Sequence, residues 1–487
     1  MSEVANVSEE IFDCAMTFDS LTFVVFLALT FVAYWATPSW TARKVLVLAC
    51  SYLFYAAWNP FFVLLIVATT GFDWFAGRWM DRSNAPSRRK AIMAASIAIN
   101  LSALGFFKYA QFFADTAVDL LRVFSVDYKP MSLGILLPVG ISFYTFESLS
   151  YVIDVYRKRI EVSKSLLDYG LYVTFFPHLV AGPILRYGDF SPQCLEPKSW
   201  NSAPVGRGLT LLVFGLALKV CLADLIFAPV ADRVFALGAE PGFAESWLGG
   251  AAFSLQVLCD FGGYSLCAIG TALMFGFRFP MNFESPFGSV GIAELWTRWH
   301  MSLASWMRDY VLTPLGGYRK GRARGHLNVL ITFVLVGLWH GAAWTFVLWG
   351  ALHGLFLIGE RLVRQYVWDF TRVRNVPARA MLAIATFGLF AFAAVLFRAS
   401  SIGQAGAILT AMLSPWTRSA LVPFEVSIVA IAAGAATVGA QIRYGHLRGW
   451  DWLESWSVAP RAASIAVALL AVVLSPGLNP AFIYFQF

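Results

Sequence analysis

Six histidines lie in this chain, and two of them, His340 and His300, stand in settings that suit proton transfer. His340 lies inside residues 327–358, LNVLITFVLVGLWHGAAWTFVLWGALHGLFLI, a run without one Asp, Glu, Lys or Arg. A neutral imidazole accepts a proton near neutral pH and returns it later in the same reaction. An ionisable side chain at membrane depth is a functional candidate by default. Trp339 and Trp344 are expected to bracket His340 with aromatic surface, and Gly337 and Gly341 to let other backbone or a substrate come close. The competing reading is a histidine satisfied by a neighbouring carbonyl in a helix bundle. His300 belongs to a separate stretch and can pack against the hairpin as a partner. His353 lies 13 residues beyond His340; on a continuous helix that is about 20 Å along the axis. It shares the site only if the chain folds back, and structural packing is the reading taken for it. His178, in a proline-broken segment, is a third candidate, while His326 and His446 read as loop residues.

Asp260 is a lone acid in the apolar run 251–277, flanked by Gly262 and Gly263. A buried acid needs a partner or a proton. Arg298 and Arg308 are candidate partners, and a structural ion pair is preferred to a proton relay. The same reading applies to Asp73, Glu147, Asp154 and Asp224. Other chemistries find no support. There is no His-Glu-x-x-His run and no phosphate-cradling Gly-x-x-x-x-Gly-Lys-Ser/Thr loop. Gly140-Ile141-Ser142 continues as Phe143-Tyr144, so it is not a nucleophile elbow. The cysteines, Cys14, Cys50, Cys194, Cys221, Cys259 and Cys267, have no paired metal spacing and mostly sit in apolar runs. No metal is expected.

These residues are carried by a chain of 487 residues that is 59% hydrophobic and 13% charged, with a mean hydropathy of +0.66. Soluble domains average about 25% charged. The expected class is an all-α polytopic integral membrane protein, because the apolar runs are apolar on all sides, unlike barrel strands. A spanning helix takes about 20 residues, which predicts roughly ten to thirteen membrane segments, some short or re-entrant. Residues 1–19 read as an N-terminal tail and 20–487 as a single transmembrane domain with a core near 133–400. The tail lacks the basic start of a cleaved signal peptide. Net charge is +7, spread over short loops. That suits topology and contact with anionic membrane lipids, and no nucleic-acid partner is expected.

Residues 327–358 are too long for one crossing and are flanked by basic residues: Arg319, Lys320, Arg322 and Arg324 before, Arg361, Arg364, Arg372, Arg374 and Arg379 after. Basic loops tend to stay in the cytoplasm. The run is therefore expected to enter, break near Gly341-Ala342-Ala343 and return, or to form a pair of short helices. Earlier segments are placed at 20–37, 44–58, 60–79, 91–107 and 133–156. The loop carrying Arg78, Arg82, Arg88, Arg89 and Lys90 is put inside, and residues 109–132, with Asp115, Asp119 and Asp127 against Arg122 and Lys129, outside. Residues 169–185 are broken at Phe176-Pro177-His178 and Gly182-Pro183, which is tolerated where backbone is buried in protein or faces a cavity. Helices follow at 209–228, 251–277, 380–397, 426–441 and 462–474. Residues 295–310, LWTRWHMSLASWMRDY, read as one amphipathic helix with a tryptophan face and His300 at its edge. It suits an interfacial position or the wall of a polar cavity.

Several blocks resemble the membrane-bound O-acyltransferases. They are Leu338-Trp339-His340-Gly341-Ala342-Ala343-Trp344-Thr345 with Trp349-Gly350 and His353-Gly354; Leu137-Pro138-Val139-Gly140-Ile141-Ser142-Phe143-Tyr144 with Tyr151 to Arg157; Phe176-Pro177-His178 through Gly182-Pro183; Asp260-Phe261-Gly262-Gly263-Tyr264-Ser265 leading to Phe275-Gly276-Phe277-Arg278-Phe279-Pro280; and Arg298-Trp299-His300 through Arg308-Asp309-Tyr310. The resemblance covers about residues 20–400 and is nearest to the branch that serves bacterial alginate O-acetylation. It implies a helical fold around a central tunnel or funnel, with the essential histidine at His340 and the usual second one at His300. In one respect the chain departs from the pattern: the acid often found after Gly-Tyr-Ser is replaced by Leu266-Cys267, so a role for that acid does not carry over.

The resemblance further implies acetyl-CoA as a cytoplasmic donor substrate, with no bound cofactor, in the bacterial inner membrane. Acetyl would pass to an extracytoplasmic polysaccharide such as alginate, with a periplasmic acetyltransferase as partner. His340 would act as general base and then protonate the leaving thiolate, or form an acyl-histidine first. His300 would position a substrate or help stabilise the tetrahedral intermediate. Trp339, Trp344, Arg298, Arg308 and Asp260 are candidate substrate-binding residues, the arginines and the 319–324 cluster through donor phosphates; simple cytoplasmic retention is the competing reading of those charges. The alternatives are acylation of cellulose or a cell-wall polymer, and a transporter or flippase, which predicts an inverted repeat that the chain does not display.

Overall fold

A computed structural model describes residues 16–126, 128, 132–444 and 456–475. Cys14, Asp127, Lys129, His446 and most of the expected N-terminal tail lie outside the described residues. Every regular element among the described residues is a helix. Seven helices are long and apolar enough to cross a membrane: Pro60–Asp81, Pro86–Val123, Val205–Val234, Phe243–Met274, Trp344–Tyr366, Val376–Arg398 and Phe424–Tyr444. Three shorter apolar helices, Leu21–Ala36, Ile402–Met412 and Val458–Leu474, accompany them. The described residues group into two compact units, those within 1–212 with 267–280 and those within 213–266 with 281–487.

Several buried polar groups of the first unit are paired within it, as backbone and side chains in lipid require. Asp73 accepts hydrogen bonds from Ser96 Oγ at 2.5 Å and Asn100 Nδ2 at 3.0 Å. Glu147 accepts from the Leu185 N–H at 2.8 Å, and His178 Nδ1 lies 3.3 Å from the same carboxylate oxygen. The expected membrane segment at 169–185 is instead two short buried helices, Leu166–Thr174 and Phe176–Leu179. Pro177 stands in the first turn of the second, where its missing N–H needs no partner. The Phe176 N–H at the break donates to Ser51 Oγ at 3.0 Å. Residues 110–123, expected in an outside segment, continue the preceding helix through a π-turn at Gly105–Tyr109. They contain no glycine or proline to stop it. The segment expected to start at 133 becomes helical only at Ile141, after the left-handed Gly140.

The second unit is organised by an antiparallel hairpin of Arg322–His340 and Trp344–Tyr366. Both basic flanks lie at one end of it: Arg322 donates to the Tyr366 hydroxyl at 2.7 Å, and the Arg361 guanidinium sits 3.7 Å over the Tyr318 ring. The break and return expected from the charges is therefore present. Glycines allow the two helices to touch. A Cβ at Gly337 would come 2.1 Å from the Phe346 carbonyl oxygen, and one at Gly350 would come 2.1 Å from that of Phe333. Small residues at such crossings let backbones meet closely inside a membrane. His326, expected in a loop, lies in the first turns of Arg322–His340, its ring 5.6 Å from that of Tyr318.

Gly350→Val is expected to destabilise the protein by about 1–3 kcal/mol or more, because the helices must separate. Gly359→Ala, on the same helix with open space around it, should be neutral or slightly stabilising. Thermal unfolding of the two variants in one detergent checks the contrast.

Candidate active site

Helix Arg322–His340 ends on the candidate base itself. Gly341 follows in an extended conformation (φ −155°, ψ 150°), its N–H closing the last turn on Gly337. A Cβ at Gly341 would come 2.1 Å from the Phe346 ring, so this residue must be small for the chain to turn back. Ala343, also extended, starts the return helix. His340 is thereby held at the hairpin tip, 3% exposed. Its ring is met nearly edge-on by Trp339 at 4.9 Å, Trp349 at 5.2 Å and Phe397 at 5.1 Å between centroids.

His300 arrives from a second break. The single amphipathic helix expected over 295–310 is in fact two short helices, Ile292–Arg298 and Met301–Met307, followed by a π-turn at Arg308–Leu312. His300 is the joint, in the left-handed region at φ 44°, ψ 52°. A non-glycine residue there costs on the order of 1–3 kcal/mol and persists only when its surroundings impose it. Here residues 282–284 impose it. The Met301 N–H donates to the Asn282 carbonyl at 2.9 Å, and the Glu284 N–H to that of Arg298 at 3.0 Å. Helical periodicity carries no trace of this cross-link. His300 is 0% exposed, and its ring centroid lies 6.2 Å from that of His340. Phe261 at 4.7 Å and Trp339 at 5.6 Å complete its surroundings.

His340, His300 and Trp339 thus come together as expected from sequence, but Trp344 does not join them. Trp344 is 49% exposed, because the turn at residues 341–343 rotates the first residue of the return helix outward. Trp349 takes the expected place beside His340 and also touches His353, at 4.8 Å. His353 is folded back toward the same cluster, with Trp349 between the two histidines. Its Nδ1 accepts a hydrogen bond from Trp296 Nε1 at 3.3 Å. His178 belongs to the first unit, beside Glu147.

Asp260 pairs with a residue that sequence reading did not match to it. Lys219 Nζ lies 2.7 Å from Asp260 and 2.9 Å from Asp224, all three buried. Lys219 and Asp224 are brought to one side by the π-helical stretch Leu218–Phe227. Arg298 turns to Glu294 on its own helix at 2.7 Å, and the more exposed Arg308 to Asp309 at 2.9 Å. The expected partnership of Asp260 with either arginine is therefore replaced by the lysine. No linear spacing relates Lys219 to Asp260; only the packing of two helices does.

A cavity of about 20 Å³ opens beside His340, room for about one water. Trp299, Trp349, Phe390 and Phe397 wall it, with Ser254 as a polar neighbour. Its lining includes no carboxylate.

The model of the MBOAT, membrane-bound O-acyltransferase family matches residues 14–398. The chain belongs to this family. It is a polytopic membrane O-acyltransferase. Among similar proteins is the probable alginate O-acetylase AlgI of Pseudomonas putida, 35% identical over 97% of this chain and 100% of that one. The corresponding protein of Azotobacter vinelandii is 39% identical over 86% of this chain and 82% of its own length. The peptidoglycan O-acetyltransferase of Helicobacter pylori is 30% identical over 80% and 78% respectively.

Lys219→Met is expected to cost about 3–5 kcal/mol, since it removes the cation from between two buried carboxylates. Lys219→Met combined with Asp260→Leu and Asp224→Leu should recover much of that loss. Unfolding midpoints in detergent measure both.

Proposed function

We propose that this protein is a bacterial inner-membrane O-acetyltransferase. It takes acetyl from cytoplasmic acetyl-CoA for transfer to hydroxyl groups of an extracytoplasmic polysaccharide of the alginate type, with a periplasmic acetyltransferase as partner. The observation that carries the reading is the pair of buried imidazoles, His340 and His300, delivered by two separate chain breaks with centroids 6.2 Å apart. A buried polar atom without a hydrogen bond is costly, and His300 Nε2 is such an atom among the described residues. Strained backbone of the kind found at His300 collects at active sites.

The chemistry follows from an imidazole in an enclosed chamber with aromatic walls. His340 takes the proton of the attacking hydroxyl as its oxygen bonds to the thioester carbonyl carbon. The tetrahedral intermediate then collapses, the C–S bond breaks, and the imidazolium returns the proton to the leaving thiolate. The same position serves an acyl-histidine route, in which the imidazole attacks the carbonyl first. The narrow space walled by Trp349, Phe390 and Phe397 suits a short acyl chain better than a long one. It also disfavours an amino-acyl group, whose ammonium would be buried with no carboxylate in the lining. This sets the reading apart from the teichoic acid D-alanyltransferase of Bacillus subtilis, 26% identical over 47% of this chain.

The test uses purified protein and acetyl-labelled coenzyme A, with wild type and His340→Ala matched for melting profile. Loss of the general base should lower turnover by about 10²–10⁴-fold. Label retained on wild-type protein would select the acyl-histidine route, and equal turnover in the two proteins would end the proposal. Phe397→Ala should narrow the preference for acetyl over butyryl donors by about tenfold or more, since each methylene is worth about 1–3 kcal/mol in such a pocket. Competition between the two donors measures it.

A further inference from the structure

The hydrogen bonds around His300 determine where its proton sits. His300 Nδ1 lies 3.1 Å from Asn282 Oδ1. The orientation of that amide follows from its other neighbours. The Ser302 backbone N–H, which can only donate, points to the same oxygen at 3.3 Å, and the Ser302 hydroxyl lies 2.9 Å from it. On the other side Asn282 Nδ2 donates to Ser265 Oγ at 3.2 Å. Oδ1 is therefore the atom facing His300, and an amide oxygen only accepts. The proton of neutral His300 must then be on Nδ1, leaving a lone pair on Nε2. Nε2 makes no hydrogen bond among the described residues, although the whole side chain is buried.

We propose that Asn282 is a positioning residue that holds His300 as its Nδ1–H tautomer, making Nε2 a hydrogen-bond acceptor for a substrate donor other than the proton that His340 takes, and not a donor to the oxyanion. The inference rests on the acyl-transfer reading and divides its labour further: stabilisation of the oxyanion falls to groups other than neutral His300. Asn282 does this with both of its ends. Its carbonyl receives the Met301 N–H at 2.9 Å and so holds the left-handed kink, while its side chain sets the tautomer of the ring at that kink. His353 supplies the contrast within the same unit. The Trp296 indole N–H donates to its Nδ1 at 3.3 Å, and an indole N–H cannot accept. Its proton is therefore on Nε2, the opposite tautomer.

The experiment is ¹⁵N-histidine NMR of the full-length protein in lipid, with the His300 signals assigned by comparison with His300→Gln. It is run beside acetyl-transfer pH profiles for wild type, Asn282→Leu and Asn282→Asp. Wild-type His300 should be protonated at Nδ1. Asn282→Leu should shift it toward Nε2–H and lower kcat by about 10²-fold with KM little changed. Asn282→Asp keeps an acceptor and should restore both the tautomer and much of the turnover. Its carboxylate favours imidazolium, so the free-base form is reached only at higher pH and the acid limb of the profile moves upward. An Nε2-protonated His300 in an active wild-type enzyme overturns the role of Asn282 alone. An unchanged tautomer and pH profile in a folded Asn282→Leu does the same. An Nδ1-protonated His300 in a protein that transfers no acetyl overturns the reaction and leaves the tautomer assignment standing.

Discussion

The contact of two helix backbones at Gly337 and Gly350 is the constraint on which the rest of the second unit depends. With no room for a Cβ on either residue, Arg322–His340 and Trp344–Tyr366 lie against each other along the hairpin. Their turn is confined to residues 341–343. Because the first helix ends at His340, the tight crossing also delivers that imidazole to the tip, among Trp339, Trp349 and Phe397. A looser crossing would leave the histidine in the same place in sequence without its aromatic walls.

A second set of polar groups is held by hydrogen bonds. His300 is forced into a left-handed conformation by backbone links to residues 282–284, and the Asn282 side chain reaches the ring at the same joint. The strain is local and small beside the packing that opposes its release. Lys219 performs a comparable service for Asp260 and Asp224, which would otherwise be buried charges in an apolar unit.

The relatives acylate more than one kind of polymer by name: alginate, peptidoglycan and teichoic acid. A shared framework with different acceptors is what a hairpin-tip site permits, because walls such as Phe397 and Phe390 come from a helix outside the hairpin. Those walls can vary without disturbing the turn that presents His340.

The helical membrane class, the hairpin break at Gly341 and the candidacy of His340, His300 and Trp339 were legible in the chain, for simple reasons. Apolar run length and flanking arginines are linear properties, and a histidine inside such a run is conspicuous. The continuation of the helix through residues 110–123 was missed because acidic residues suggested an outside segment, though nothing there breaks a helix. Trp344 is near His340 in sequence but Trp349 is near it in space, because the turn at residues 341–343 reverses that relation. The partner of Asp260, the kink at His300 and the hydrogen bond from Asn282 belong to tertiary structure alone. Each joins residues on different elements, and only packing decides which buried donor meets which acceptor.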